Sequence, residues 1–322
     1  MENRRTFLKS AAAAGALGLT AGCIGNFSGN QPYGDNKVKF LMSPTEPQDQ
    51  MRAQYTPIKE RFESYLDVKK AEMQYAKDYA ATLEALNSGT ADVAETGPFA
   101  AALGVDSGKA EVILQRHGYG AWTYSSVIVT RKGSDISKLT DLKGKKIAFA
   151  DPLSASGSLY PLGMLKKAGL SIPDEPGSPK GADFEPSWSG HFEALQALKS
   201  EQVDAAGVGY FITLNDDREY KDFVKEVARD KGIPRAPILV SPTLSDEEKT
   251  KITEAFTKAD KSLYLGKDGK ADTDEKSDDP DDDLWFDDVR KADAKTYDPV
   301  VQVANELGYG QDIFSSGTTT GE

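Results

Sequence analysis

Short apolar runs alternate with amphipathic stretches along most of the chain, which predicts strand, turn and helix in repeated succession. Val38, Phe40, Leu41 and Met42 read as a first strand. Met51, Tyr55, Ile58, Phe62 and Tyr65 follow at helical spacing, with Pro57 kinking or restarting that helix. A second strand is expected over 68–75, then a helix opened by Asp78 and Tyr79 and ended by Asn87, Ser88 and Gly89. Residues 91–94 read as a strand, and the turn Glu95, Thr96, Gly97, Pro98 leads into a helix from Phe99. Strand character returns at 126–130 and in the run that ends at Ala150. The next helix should begin near Ser158, because Pro161 is tolerated only in a first turn, and stop at Lys166, Lys167, Ala168 and Gly169. A helix introduced by Gly190 and His191, a short strand at 203–206, a return strand at 237–242, and helices at 246–265 and 300–307 complete the pattern. The alternation is that of an α/β fold, without the period of a solenoid.

In open α/β sheets, ligands bind at the carboxyl edge, where strands hand over to helices. Five polar turns fall there: 43–45, Tyr79, Thr96 with Gly97, Ser154 to Gly157, and Gly190 with His191. The turn Ser154, Ala155, Ser156, Gly157 is the most informative. It sets two hydroxyls beside the unpaired N–H groups and positive end of a helix, a socket for an oxyanion, with no Walker-type lysine to indicate a nucleotide. An ordinary serine-capped helix is the alternative reading of the same turn.

Composition narrows the partners. The chain has 51 acidic against 39 basic residues and a formal net charge of −12, which argues against nucleic acid or an anionic membrane surface, so an anion must be held by local geometry. Residues 1–22 read as an export signal: Arg4 and Arg5 fit the twin-arginine type, and the Gly/Ala-rich stretch after them is too short to span a bilayer. Small residues precede Cys23, the sole cysteine, as in a lipobox, so Cys23 is expected to carry a lipid anchor to the outer face of the cytoplasmic membrane, with 23–36 as tether. The acidic segment at about 267–288 lacks an EF-hand frame and reads as a solvated insertion. Acidic surfaces and twin-arginine export together suggest a salt-loving host.

The residues resemble the PhnD-like phosphate, phosphite and phosphonate binding proteins of ABC importers. The resemblance runs through Ser43 to Glu46, Asp78 with Tyr79, 91–94, 124–129 and 139–147. Its most specific part is Asp151, Pro152, Ser154, Ser156 and Gly157, followed by Pro161, Gly190 with His191, and Val203 with Asp204. It implies a two-lobed type II periplasmic-binding-protein fold, with lobe 1 at 37–127 and 240–322, lobe 2 at 128–239, and crossings near 126–130 and 237–240. It further implies an oxyanion held by Ser154, Ser156, backbone N–H groups through Gly157, His191 and, from lobe 1, Tyr79. Thr96, beside Gly97, stands where some relatives place a tyrosine, and Ala155 offers only its N–H. Partners would be the oxyanion, a permease and its ATPase, with no cofactor. Ala236 replaces an acid found in aminoalkylphosphonate binders, and Gly207 to Phe211 replaces a polar stretch, so phosphite, phosphate or a small alkyl phosphonate is favoured. The same fold would also serve a surface sensor or scavenger.

His191 is expected to contact the anion and, when protonated, to tighten binding as pH falls. His117, beside Arg116, reads as a surface or core residue. A catalytic alternative assembles Ser154 or Ser156, His191 and Asp151 or Asp183 into a phosphoester hydrolase. The Ser-Ala-Ser-Gly order is not a nucleophile elbow, and two histidines far apart make no metal site, so an enzyme is not expected.

Overall fold

The computed structural model describes residues 33–43, 48–215, 217–272 and 282–310. The signal, Cys23, residues 44–47, which include most of the first polar turn, and 273–281 of the acidic segment lie outside these. The chain enters through a four-residue turn, α1 (Tyr33–Asn36), with positive φ at Tyr33, Asp35 and Asn36. Tyr33 is buried, and its N–H donates to Glu248 Oε1 at 3.0 Å. The tether expected to reach Asn36 therefore ends earlier, because this ring docks on the folded body.

The first sheet gathers β1 (Lys37–Met42), β2 (Lys70–Tyr75), β3 (Val93–Glu95), β4 (Glu111–His117), β10 (Pro237–Val240) and β11 (Asp288–Lys291) in the order β11-β4-β10-β3-β1-β2. The second gathers β5 (Thr123–Arg131), β6 (Lys146–Phe149), β7 (Glu185–Trp188), β8 (Ala205–Gly209) and β9 (Val224–Pro234) in the order β7-β6-β8-β5-β9. Both are mixed: β1 runs parallel to β2 and β3, and β6 to β7 and β8, while β10 and β5 run antiparallel to their neighbours.

Local chemistry explains the helices. Pro57 sits in the first turn of α3 (Thr56–Tyr65), so the expected break is a restart after α2 (Gln48–Gln54). Asp78 caps α4 (Tyr79–Asn87) by accepting the Ala81 N–H at 2.7 Å. Gly97 and Pro98 open α5 (Pro98–Asp106), a helix buried on nearly every face. The helix after the serine turn starts earlier than expected, with a wide turn over Ala155–Leu159 that continues into α6 (Tyr160–Lys167). Gly169, at φ +90°, ends it where the sequence placed the stop. His191 opens α7 (His191–Lys199), and Ser245 forms a capping box with Glu248 at the start of α8 (Asp246–Thr257).

Phe40, Tyr55, Phe62 and Phe256 pack with ring centroids 5.4–5.9 Å apart between the first sheet and its helices. Each such side chain removed from water contributes roughly 1.5–3 kcal/mol. Val127, Val129, Leu195, Leu198 and Val208 form the smaller core of the second sheet.

Three expectations are corrected. The links between sheets are 118–122, from β4 to β5, and Arg235 with Ala236, from β9 to β10; the strands 126–130 and 237–240 each lie within one sheet. The last helix, α9 (Asp298–Leu307), does not belong to the first lobe alone: Lys166 Nζ donates to the Glu306 carbonyl at 2.9 Å, and the Tyr309 hydroxyl to the Pro173 carbonyl at 2.7 Å. Its Val303 and Leu307 face Gly163 of α6, which draws their apolar stripe across to the second lobe. The acidic segment is not wholly solvated either, since Asp282, Leu284 and Phe286 are buried.

Candidate functional site

A cavity of about 240 Å³ lies between the sheets, walled by Tyr79, Thr96, Gly97 and Arg116 from the first and by Tyr124, Ser154, Ala155, Ser156 and His191 from the second, with Arg235 of the link. Seven of the eight predicted ligand residues thus meet around one space. Gly157 does not line it. Its N–H donates to Ser154 Oγ at 3.1 Å, so this amide braces the serine instead of facing a ligand.

The reason is local packing. A Cβ on Gly157 would lie 2.2 Å from Ala150 Cβ and 2.7 Å from His191 Cε1, so only glycine lets the loop close onto β6 and the imidazole. The wide turn that follows returns the Leu159 N–H to the Ser154 carbonyl at 3.0 Å, five residues back. Single turns of this type are frequent at functional sites. Ala155, first in the turn, keeps an N–H without an intrahelical acceptor.

His191 takes a different role from the one expected. Its Nδ1 accepts the Gly209 N–H at 3.1 Å, which assigns the proton to Nε2, and Nε2 lies 3.1 Å from Ser154 Oγ. Ser154 Oγ thereby accepts from both His191 and Gly157 and keeps its own proton to donate. Burial pushes the imidazole down to about 4, so it is neutral from pH 6 to 8 and brings no charge to an anion. The arrangement also excludes His191 as a base for Ser154, because a base needs Nε2 unprotonated and its Nδ1 faces a backbone amide, not Asp151 or Asp183. His191→Gln is expected to weaken anion binding by about tenfold, through one lost hydrogen bond, by the same factor at pH 6 and pH 8. Calorimetry at both pH values checks this; wild-type affinity that gained on the variant toward pH 6 would restore the charged role.

The lobe 1 wall offers donors. Thr96 Oγ1 is buried and, among the described residues, has no hydrogen-bond partner. Burial raises the Tyr79 phenol far above its ordinary value, so it is a neutral donor; its ring lies 3.4 Å from where a Gly97 Cβ would sit. Burial pushes Tyr124 up to about 12, opposed in part by the neighbouring Ser156 and the Arg235 charge. The Ser156 carbonyl accepts the Ser126 hydroxyl at 2.7 Å, which fixes that serine in place. Asp151 is raised by burial and held down by the N–H groups of Leu153 and Tyr79, so the serine loop reaches the start of α4 in the opposite lobe.

Two arginines, absent from the expected set, complete the lining. Arg116 is buried in an ion pair with Glu95, whose Oε2 also accepts the Tyr55 hydroxyl at 2.6 Å. Its guanidinium lies 4.5 Å from the Trp285 ring centroid. Arg235 is 7% exposed and, among the described residues, forms no ion pair. Its Nε donates to the Ala121 carbonyl at 2.9 Å and its N–H to the Trp122 carbonyl at 3.0 Å, so it ties the two links together. The guanidinium lies 5.2–5.8 Å from the ring centroids of Tyr119, Tyr124 and Trp285. Burial lowers its pKa, and Arg116 and Arg218 act the same way, yet an arginine remains charged. The cavity therefore holds one positive charge that no carboxylate among the described residues pairs. β4 has a weak strand signature in the sequence, its apolar stretch Val112 to Leu114 being short and followed by Gln115, Arg116 and His117, which leaves Arg116 outside the expected set. A cation bordering an apolar strand run was the available signal.

Residues 40–297 match the family model described as ABC transporter, phosphonate, periplasmic substrate-binding protein. The chain belongs to that family. It is a family of binding proteins and not of enzymes. The chain is 32% identical over 171 residues to the phosphate-import protein PhnD of Mycolicibacterium smegmatis, covering 51% of this chain and 52% of that one. It is 30% identical over 234 residues to the phosphonates-binding periplasmic protein of Escherichia coli, covering 69% and 66%. The matches thus span about half and about two thirds of these curated relatives. Among solved structures, a binding protein component of an ABC phosphonate transporter from Pseudomonas aeruginosa superposes with a TM-score of 0.68 at 22% identity, covering 84% of this chain and 86% of that one. PhnD1 of Prochlorococcus marinus, in complex with methylphosphonate, superposes with a TM-score of 0.64 at 16% identity, covering 85% and 99%. The fold is the two-lobed type II periplasmic-binding-protein fold.

Proposed function

We propose that this phosphonate-family protein captures a small phosphorus oxyanion between its lobes, outside the cytoplasm, and delivers it to an ABC permease with its ATPase. The observation that carries this reading is Arg235, a buried guanidinium with no carboxylate partner among the described residues, in the same cavity as the hydroxyl donors of Ser154 and Thr96. In a chain of net charge −12, a buried cation in a cleft with no ion pair among the described residues is arranged for an anion. Contacts from both lobes favour closure over the ligand, and the closed form is what a permease would recognise. Twin-arginine export and a lipid on Cys23 belong to the same proposal; the intact mass of membrane-extracted protein, with or without an acyl chain after cleavage at residue 22, tests them.

The site favours phosphite, phosphate or a small alkyl phosphonate over an aminoalkyl one. An ammonium group would meet Arg235 and Arg116, and Glu95 is already engaged by Arg116. Calorimetry against methylphosphonate, phosphite, phosphate, sulfate and 2-aminoethylphosphonate should find the phosphorus oxyanions bound and the aminoethyl compound at least tenfold weaker than methylphosphonate. Silence toward every phosphorus anion would sink the reading. Uptake of the bound anion, lost on deleting the gene, separates an importer from a surface sensor or scavenger of the same anion.

A further inference from the structure

We propose that Asp272, Asp282 and Asp283 form a binding site for a hard divalent cation, separate from the ligand cleft. Oxygens of the three carboxylates lie within 4.8 Å of one another. Clustered acids alone would not distinguish a metal site from a solvated surface. Here Asp282 is fully buried and its Oδ1 has no hydrogen-bond partner among the described residues, and the Oδ1 of Asp283 is likewise buried and without a partner among them.

The remaining oxygens are placed by the backbone. Asp282 Oδ2 accepts the Asp268 N–H at 3.0 Å, Asp283 Oδ2 the Asp272 N–H at 2.9 Å, and Asp272 Oδ1 the Asp283 N–H at 3.3 Å. One oxygen of Asp282 and one of Asp283 are thus fixed by amides while the other is left open. No ion pair reaches any of the three among the described residues. A buried carboxylate without a counter-charge costs several kcal/mol, and a divalent ion offsets that cost for three acids at once. The donors are oxygens only, which selects calcium or magnesium over zinc or copper.

The site would pin the segment that carries Trp285, a wall of the ligand cavity two residues beyond Asp283. The test uses the intact chain, freed of metal with a chelator and returned to constant ionic strength. Calcium is expected to raise the melting temperature by several degrees with one ion bound per chain. Terbium should show saturable luminescence sensitised by Trp285 and displaced by calcium. Asp282→Asn and Asp283→Asn should each abolish the shift and the luminescence, while melting, metal-free, at or above the wild type because repulsion is relieved. Equal melting with and without calcium and magnesium, or a full shift surviving in both variants, would overturn the assignment. Anion binding in the cleft is measured separately, so failure here leaves the capture reading intact and the reverse holds equally.

Discussion

Arg235→Gln should weaken capture of methylphosphonate by about a hundredfold while leaving the empty protein at least as stable as the wild type. The two halves of this result share one cause. The guanidinium is almost wholly removed from water and faces no carboxylate among the described residues, a condition that costs the empty protein several kcal/mol. The Nε bond to Ala121 and the rings of Tyr119, Tyr124 and Trp285 offset only part of it. Glutamine removes the charge and leaves the backbone bond to Trp122, so the links stay joined. An anion, by contrast, loses two charge-assisted hydrogen bonds worth roughly 1.5–3 kcal/mol each, of which a neutral amide replaces a part. With tenfold in affinity for every 1.4 kcal/mol, about two orders of magnitude remain. Calorimetry gives the affinity and a melting curve the stability. Unchanged affinity would remove Arg235 from the site, and a large fall in melting temperature would make it a structural residue.

What could be read beforehand depended on whether a residue's chemistry was local. Asp78 opening α4, Pro57 interrupting the helical stretch before α3 and Gly169 ending α6 are decisions made within one turn of chain, and all three appear where the sequence placed them, with the structure deciding for a restart at Pro57. The polar turns were legible for the same reason, since small hydroxyl residues between a strand and a helix leave few other conformations. Strands without an apolar signature were not legible. β9 carries Lys225, Glu226, Arg229, Asp230 and Lys231 and exists because it pairs along the length of β5, a long-range reward that its own residues do not announce. Arg235 follows β9 and Arg116 lies in β4, so missing two strands meant missing the positive side of the site. His191 opens α7 and lines the cavity, but its tautomer is not legible locally: the Gly209 amide that fixes it arrives from β8, eighteen residues on.

Gly157→Ala is the second substitution expected to abolish binding, by more than a hundredfold, and it does so without touching the ligand. The added methyl would fall 2.2 Å from Ala150 Cβ, 2.7 Å from His191 Cε1 and 3.1 Å from Ser154 Oγ, so the loop must lift from β6 or the imidazole must turn away. Ala150 cannot yield: it is fully buried, and its N–H donates to the Gly157 carbonyl at 3.0 Å. Overpacking of this kind costs roughly 1–3 kcal/mol of stability. Either displacement also breaks the pair of bonds that hold the Ser154 proton outward. The two consequences separate in the double variant. Adding Ala150→Gly clears the worst contact and should recover most of the melting temperature, yet the clash with His191 persists, so affinity stays at least tenfold below wild type. Full recovery of binding in the double variant would mean that the imidazole does not position Ser154. A single Gly157→Ala chain with wild-type affinity would mean that the serine loop is not the anion's seat.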